Sequence, residues 1–390
     1  MAPVTEHHAS FLSRISIRRN QIVSMDVHHE QELEELDYFQ KHVAERFSEL
    51  ITPSPSSSSS SQPSDLILSI PWLRNILHVF MSCETEFKAV LTTTQISKSP
   101  SLERVLPEML DRNIKALDIC NAVVNGIDSV RQSRRLAEIA VTALKQRPLC
   151  DGSVRRAKRA LTSLLVGLNA DGRDKNSGGS GSSTRRTTSR SWSFSQRSNV
   201  TGGSYGHISK NWSAAKQIQA MVANLVLPRG AEASGPAMPV YIMSSVMVLV
   251  MWVLVAAIPC QTSSVLVAQL PLPKHQNWAS AAASIQERIG EEMKQKEKRC
   301  GGLMEEMQRM EKIGLSLLEF AESFKFPAEE EAEEEVEEKV DEMEEICQRM
   351  EIGMEDLQRL VRQVFHRLMR SRIEIVTMLD QAGRSSAPAI

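Results

Sequence analysis

Apolar residues recur at intervals of three and four along most of this chain, a pattern that predicts amphipathic α-helices. The first stripe follows Asp26, a candidate N-cap, and predicts a helix that runs to about Ile51. Its apolar members are Leu33, Leu36, Phe39, Val43, Phe47 and Leu50. The pattern indicates that one face of this helix is buried.

Two longer helices are predicted next. Ser69 and Pro71 have the residue types favoured at an N-cap and a first helical position, so a helix should open there. A third helix begins near Ser101 or Pro107 and continues to about Lys145. One face of it is predicted from Leu106, Leu110, Leu117, Val124, Ile127, Ala137, Val141 and Leu144. A basic amphipathic stretch, residues 154–168, follows.

The C-terminal part has the most regular pattern. A stripe runs from Leu303 to Phe324, and a second alternates steps of four and three from Val336 to Leu368 and on to Met378. A coiled coil would show this repeat, but apolar residues also occupy flanking positions where a dimeric zipper carries charges. We therefore favour an intramolecular antiparallel hairpin of residues 303–325 against 330–380. The acidic run at its start is interpreted as a solvated face in preference to a partner-binding patch.

One segment in the middle of the chain has no charge at all between Glu232 and Lys274. Inside it, Val240 to Ile258 is apolar except for two serines, and nineteen helical residues span about 28 Å. That length suits a membrane span, at the short end of the range. A helix buried in a bundle core has the same composition, and a segment lying in the membrane interface is a third alternative. The sequence leaves all three open.

Composition shifts divide the chain into five parts. The fold class that follows is all-α: a long-helix bundle with antiparallel helical hairpins, linkers that should be disordered, and one very apolar central helix. The parts are residues 1–51 (N-terminal arm and first helix), 52–64 (Ser/Pro linker), 65–168 (helical), 169–209 (Gly/Ser/Arg linker) and 210–384 (helical, with the apolar segment 240–258).

Two of these parts carry candidate regulatory or contact features. In the Gly/Ser/Arg linker, Thr188 and Ser193 each follow an arginine by three residues, a spacing that basophilic kinases favour, so both are candidate phosphosites. Residues 11–23 mix arginines with apolar side chains, and such an arm could contact an anionic membrane or pack on the bundle.

Composition and chemistry narrow the function further. A net charge of −2 over 390 residues gives no support for nucleic-acid binding. Six scattered cysteines without a CxxC pair indicate reduced thiols in the cytosol, and the N-terminus lacks the apolar region of a signal peptide. His28, His29, Glu30 and His42 do not form a metal-binding motif, and no phosphate loop or nucleophile motif is present. We expect no enzymatic activity, no metal and no cofactor.

Three blocks resemble the plant BYPASS-related proteins, in particular their ROH branch: residues 11–50, residues 224–260, and residues 302–321 with the tail VFHRLMRSRIEIV. The resemblance implies an interaction protein with no catalytic residues. Members of this branch are associated with the exocyst, through its Exo-seventy subunit, and related proteins affect root and shoot development. The implied function is an adaptor that modulates secretory delivery, for example of cell-wall polysaccharide or mucilage. The alternative is a membrane-anchored regulator of a mobile developmental signal.

Overall fold

The computed structural model of the chain describes residues 30, 33–51, 66–93, 100–169, 212–260, 266, 269–295, 302–324 and 330–385. Every regular element in these ranges is helical, which confirms the predicted fold class. The basic arm at residues 11–23, most of both predicted linkers, and the candidate phosphosites Thr188 and Ser193 lie outside the described residues.

Nine α-helices and one short 3-10 helix make up the described part of the chain. They are α1 (33–49), α2 (Ile70–Thr93), α3 (Pro100–Leu144), α4 (Asp151–Asn169), α5 (Ala214–Ala223), the 3-10 helix Gly230–Ser234, α6 (Ala237–Ala257), α7 (Asn277–Gln295), α8 (Glu305–Ser323) and α9 (Glu330–Ser385).

The N-terminal helices form as the pattern predicts. Helix α1 buries Leu36, Phe39, Val43 and Phe47, and the Phe39 ring lies 6.4 Å from that of Phe87 on α2. Ser69 is the N-cap of α2, since its hydroxyl accepts the Trp72 N–H at 3.4 Å. Helix α2 begins at Ile70, so Pro71 occupies its second position and not its first.

Helix α3 is buried on more than one side, and the face predicted for it is wrong in its middle. Leu110, Leu117 and Val124 are only half-buried, whereas the neighbouring Met109, Ala116 and Val123 point into the core. The cause is that α3 contacts α4, α5, α6, α8 and α9, which surround much of its circumference. A helix covered on several sides does not show one clean stripe.

Helix α9 packs within its own chain. It contacts α8, as the predicted hairpin requires, and also α2 and α3. Arg131 in the C-terminal third of α3 donates to Gln358 at 2.8 Å, and Lys145 after its end pairs with Glu344 at 2.6 Å, so α3 and α9 run antiparallel. The acidic start of α9 is therefore not wholly solvated. Several of its carboxylates form ion pairs with cations at the end of α3 and on α8.

Helix α6 occupies the centre of the bundle. All 21 of its residues are buried, and it contacts α2, α3, α5 and α7. Among the described residues it is also the one helix whose length and composition would allow it to cross a membrane. The two predicted ends of this segment, Val240 and Ile258, are both buried; Val240 lies within α6 and Ile258 is the residue that follows it.

Candidate interaction surfaces and buried polar sites

The C-terminal end of α6 is held by a short strap, residues 302–306, that leads into α8. The N–H of Leu303 donates to the carbonyl of Ala256 at 2.9 Å, and the N–H of Met304 donates to that of Ala257 at 3.0 Å. The last carbonyls of a helix have no partner within the helix, so these bonds satisfy two of them. The strap therefore caps α6 from outside its own helix.

Close contact at the strap depends on Gly302. A Cβ built on this residue would lie 2.2 Å from the Ala257 oxygen and 2.9 Å from the Ala257 carbonyl carbon. Any side chain at position 302 would have to push the strap away from α6. Glycine is required here by space and not by an unusual backbone conformation.

The same strap caps the start of α2. The Glu306 carboxylate accepts the Ile70 N–H at 2.9 Å, and the Glu305 N–H donates to the carbonyl of Leu68 at 3.3 Å. Leu68 has a φ of 66°, the left-handed region that non-glycine residues rarely adopt. One five-residue segment thus joins the end of α6 to the beginning of α2.

Glu306 is a buried carboxyl with an altered affinity for protons. Burial raises its pKa from 4.5 to about 7, against the opposing effect of the Ile70 N–H. Its second oxygen has no hydrogen-bond partner within the described residues. This group therefore titrates near neutral pH at the junction of three helices, and nothing in the sequence around it distinguishes it from a surface glutamate.

A pocket of about 200 Å³ lies beside the first turns of α6. Its principal cation, Arg112 on α3, is buried and donates to the carbonyls of Met221 at 3.3 Å and of Asn224. At the rim, Arg104 pairs with Glu232 at 2.9 Å. Arg112 and Arg104 are thus held by the chain itself, and the pocket joins α3 to the segment before α6. The third lining cation, Arg229, is exposed and forms no ion pair among the described residues.

The outer face of α4 is a cationic surface feature of the described residues. The predicted basic stretch forms this helix, and its apolar face packs on α3 and α8. The outer face forms an open depression of about 560 Å³ in which each lining residue is a cation or a hydroxyl: Arg155, Lys158, Arg159, Thr162 and Ser163. Arg155 pairs with Asp151 at 2.7 Å and Lys158 with Glu322 at 3.3 Å, while Arg159 forms no ion pair among the described residues, so an anionic group such as phosphate suits the lining at Arg159.

No metal site is present among the residues that the structure describes: no group of three or more potential ligands comes together there. His28 and His29 lie outside those residues. His42 faces Glu86, with its Nδ1 3.2 Å from the carboxylate, and its ring lies 4.1 Å from that of Tyr38. This histidine takes part in contacts within and between α1 and α2.

The chain is similar to known plant proteins over its whole length. Residues 2–379 match a family model described as Protein ROH1-like. The chain is 54% identical to Protein ROH1A of Arabidopsis thaliana, with 100% of both chains covered. It is 36% identical to Protein ROH1D of the same plant, with 98% of each covered. No solved structure matches it.

Proposed function

This chain belongs to the ROH1-like family, and on that basis we propose that it is a non-enzymatic plant adaptor that binds an exocyst subunit of the Exo-seventy type. In this role it modulates delivery of secretory vesicles, for example those carrying cell-wall polysaccharide or mucilage. The observation that carries the proposal is the end-to-end match, since the resemblance of residues 11–50, 224–260 and 302–321 to the ROH branch implies this partner.

The arrangement of α6 supports an adaptor that works as one body. Its burial lets the helices before and after it share a single core, and the exposed faces of the outer helices are then available to partners. The cationic face of α4 suits a protein that acts beside anionic membranes. On this proposal the basic arm at residues 11–23 adds a second contact with the same surface.

A binding assay with purified components tests the partner. Bead-bound full-length chain is incubated with the purified Exo-seventy-type subunit, without membranes. We expect retention at micromolar concentrations. Retention no greater than on empty beads would contradict the proposal.

A variant with reversed charges, R156E with R159E, distinguishes direct binding of the subunit from capture through a shared membrane. Both side chains are exposed and form no ion pair among the described residues, so the fold should persist. Direct subunit binding should survive this change, while capture from membrane extracts that depends on lipid should fall.

A second candidate function is a membrane-anchored regulator of a mobile signal in root and shoot development. The observation that favours it is the length and composition of α6, which meet the requirement for a span. Alkaline carbonate extraction of membranes separates the two candidates. The adaptor should be released into the supernatant; retention in the pellet would favour the anchored regulator and overturn the single-core arrangement.

A further inference from the structure

Helix α9 carries an ordered set of charges on the side that faces away from the bundle. Its centre is Ile352, whose side chain is 74% exposed, more than any other large apolar residue in the described part of the chain. At 100° per residue, the residues that point within about 40° of Ile352 form a line along the helix. We refer to this line, from Glu334 to Arg370, as the α9 ridge.

The ridge changes sign at Ile352. Its N-terminal half carries Glu334, Glu338, Asp341 and Glu345, all exposed. Its C-terminal half begins with the half-buried Asp356 and then carries Arg359, His366 and Arg370, which are exposed. A single helix with one acidic and one basic half is complementary to a second copy that runs in the opposite direction.

The spacing of these charges agrees with a two-fold axis at Ile352. Glu345 and Arg359 lie seven residues before and after it, Glu338 and His366 lie fourteen, and Glu334 and Arg370 lie eighteen. In an antiparallel pair centred on Ile352, Glu345 and Glu334 therefore each face an arginine of the other copy, and Glu338 faces its His366.

The remaining ridge residues do not oppose this arrangement. Asp341, which is paired with Lys145 at 2.9 Å, would face Gln363. Asp356 would face Gln348; it is paired with Arg74 at 3.2 Å and with the ridge's own Arg359 at 2.9 Å, so Arg359 must be shared between Asp356 and Glu345 of the other copy. No like charges are placed opposite each other. A parallel pair would instead set acid against acid and base against base.

The acidic members that matter are available for pairing. Glu334, Glu338 and Glu345 form no ion pair among the described residues, whereas neighbouring carboxylates such as Glu337 and Glu342 are bound to Arg147 and Arg309. The apolar face of α9 is already buried against its own bundle, so the ridge is the part of this helix that remains for an external contact.

We propose that two copies of this chain associate through antiparallel pairing of their α9 ridges, with Ile352 on the two-fold axis. The ridge from Glu334 to Arg370 is about 54 Å long, but Ile352 is its one large apolar residue. The contact therefore lies at the small, polar end of specific interfaces, and it is a weak dimer that salt dissociates.

Mass measurement and crosslinking test the axis. At about 100 μM and low salt, light scattering on the full-length chain should detect a species of twice the 43.5 kDa monomer. Cys150, which is exposed, and Cys300, which lies outside the described residues, are first replaced by serine so that they cannot crosslink. In that chain, I352C should form an intermolecular disulfide on mild oxidation. The control R362C should not, because its two copies would be about 30 Å apart along the helices.

Charge exchange tests the register. E345R and R359E should each weaken self-association at least tenfold, and the double variant should restore it, because the new arginine of one copy then faces the new glutamate of the other. Both side chains are exposed, and circular dichroism verifies the fold of each variant. A chain that stays monomeric at low salt, or a dimer that neither single reversal weakens, would overturn the proposal.

Discussion

Replacing Gly302 by alanine should destabilise the whole bundle, because this residue lets the strap approach the end of α6. The new Cβ would be 2.2 Å from the Ala257 oxygen, so the strap must withdraw by about 1 Å to reach an ordinary contact distance. A displacement of that size breaks the bonds from Leu303 and Met304 to α6. Two lost hydrogen bonds and the buried groups they leave unpaired cost about 2 to 5 kcal/mol together.

The matched control is G167A. Gly167 lies in α4, and a Cβ added to it would meet nothing within 4 Å, so the same substitution should be neutral or stabilise by up to about 1 kcal/mol. Urea unfolding followed by tryptophan fluorescence measures both, since Trp252 is buried in α6 and Trp278, on α7, is buried beside Tyr241 of α6. A G302A chain within about 0.5 kcal/mol of the unsubstituted protein would refute the strap as a cap of α6.

Three further predictions concern single side chains. The pKa of Glu306 is raised from 4.5 to about 7 in the folded state, so its contribution to the free energy of unfolding is greatest below pH 4.5 and is lost as the pH rises through 7. This pH dependence is worth about 3 kcal/mol, and E306Q should remove it when unfolding is measured from pH 5 to 8. E84A should destabilise by about 3 kcal/mol, since buried Glu84 pairs with Arg367 at 2.8 Å, while E45A at an exposed pair should change stability by under about 0.5 kcal/mol in the same urea assay. Cys150 is exposed, and hydrogen bonds from Ser153 lower its pKa. Iodoacetamide should therefore label Cys150 in the folded chain before it labels the buried cysteines of the described residues. Mass spectrometry that finds a buried thiol labelled first would contradict the packing.

Periodicity alone predicted most of the helices. The stripes of α1, α2 and α9 are clean because each buries mainly one side, and the ends of α9 follow its heptad pattern closely. Helices α5 and α7 are not among the predicted stripes. Ser213 precedes α5 and caps it, with the Lys216 N–H donating to the Ser213 hydroxyl at 3.2 Å. Ten residues give too short a stripe to recognise, and the cap was the available signal.

The sequence could not predict that α6 lies in the core or that Glu306 is buried. A helix that is apolar on all sides has the same composition whether lipid or protein covers it. Helices α2, α3, α5 and α7 place α6 in the core, and the cap of its C-terminal end comes from Leu303 and Met304, more than forty residues later in the chain. Likewise, Glu306 differs from its neighbour Glu305 only in what the fold brings to it.

The position of the strap in the chain has a consequence for biosynthesis. The carbonyls at the end of α6 are made before the amides that cap them, and the 46 residues from Pro259 to Met304 take about 2 to 9 s to translate at roughly 5 to 20 residues per second. During that interval the end of this apolar helix, which has membrane-spanning length, has no Leu303 or Met304 to cap it. The speed of elongation through residues 259–304 therefore sets the shortest time for which the helix must wait for its C-terminal cap.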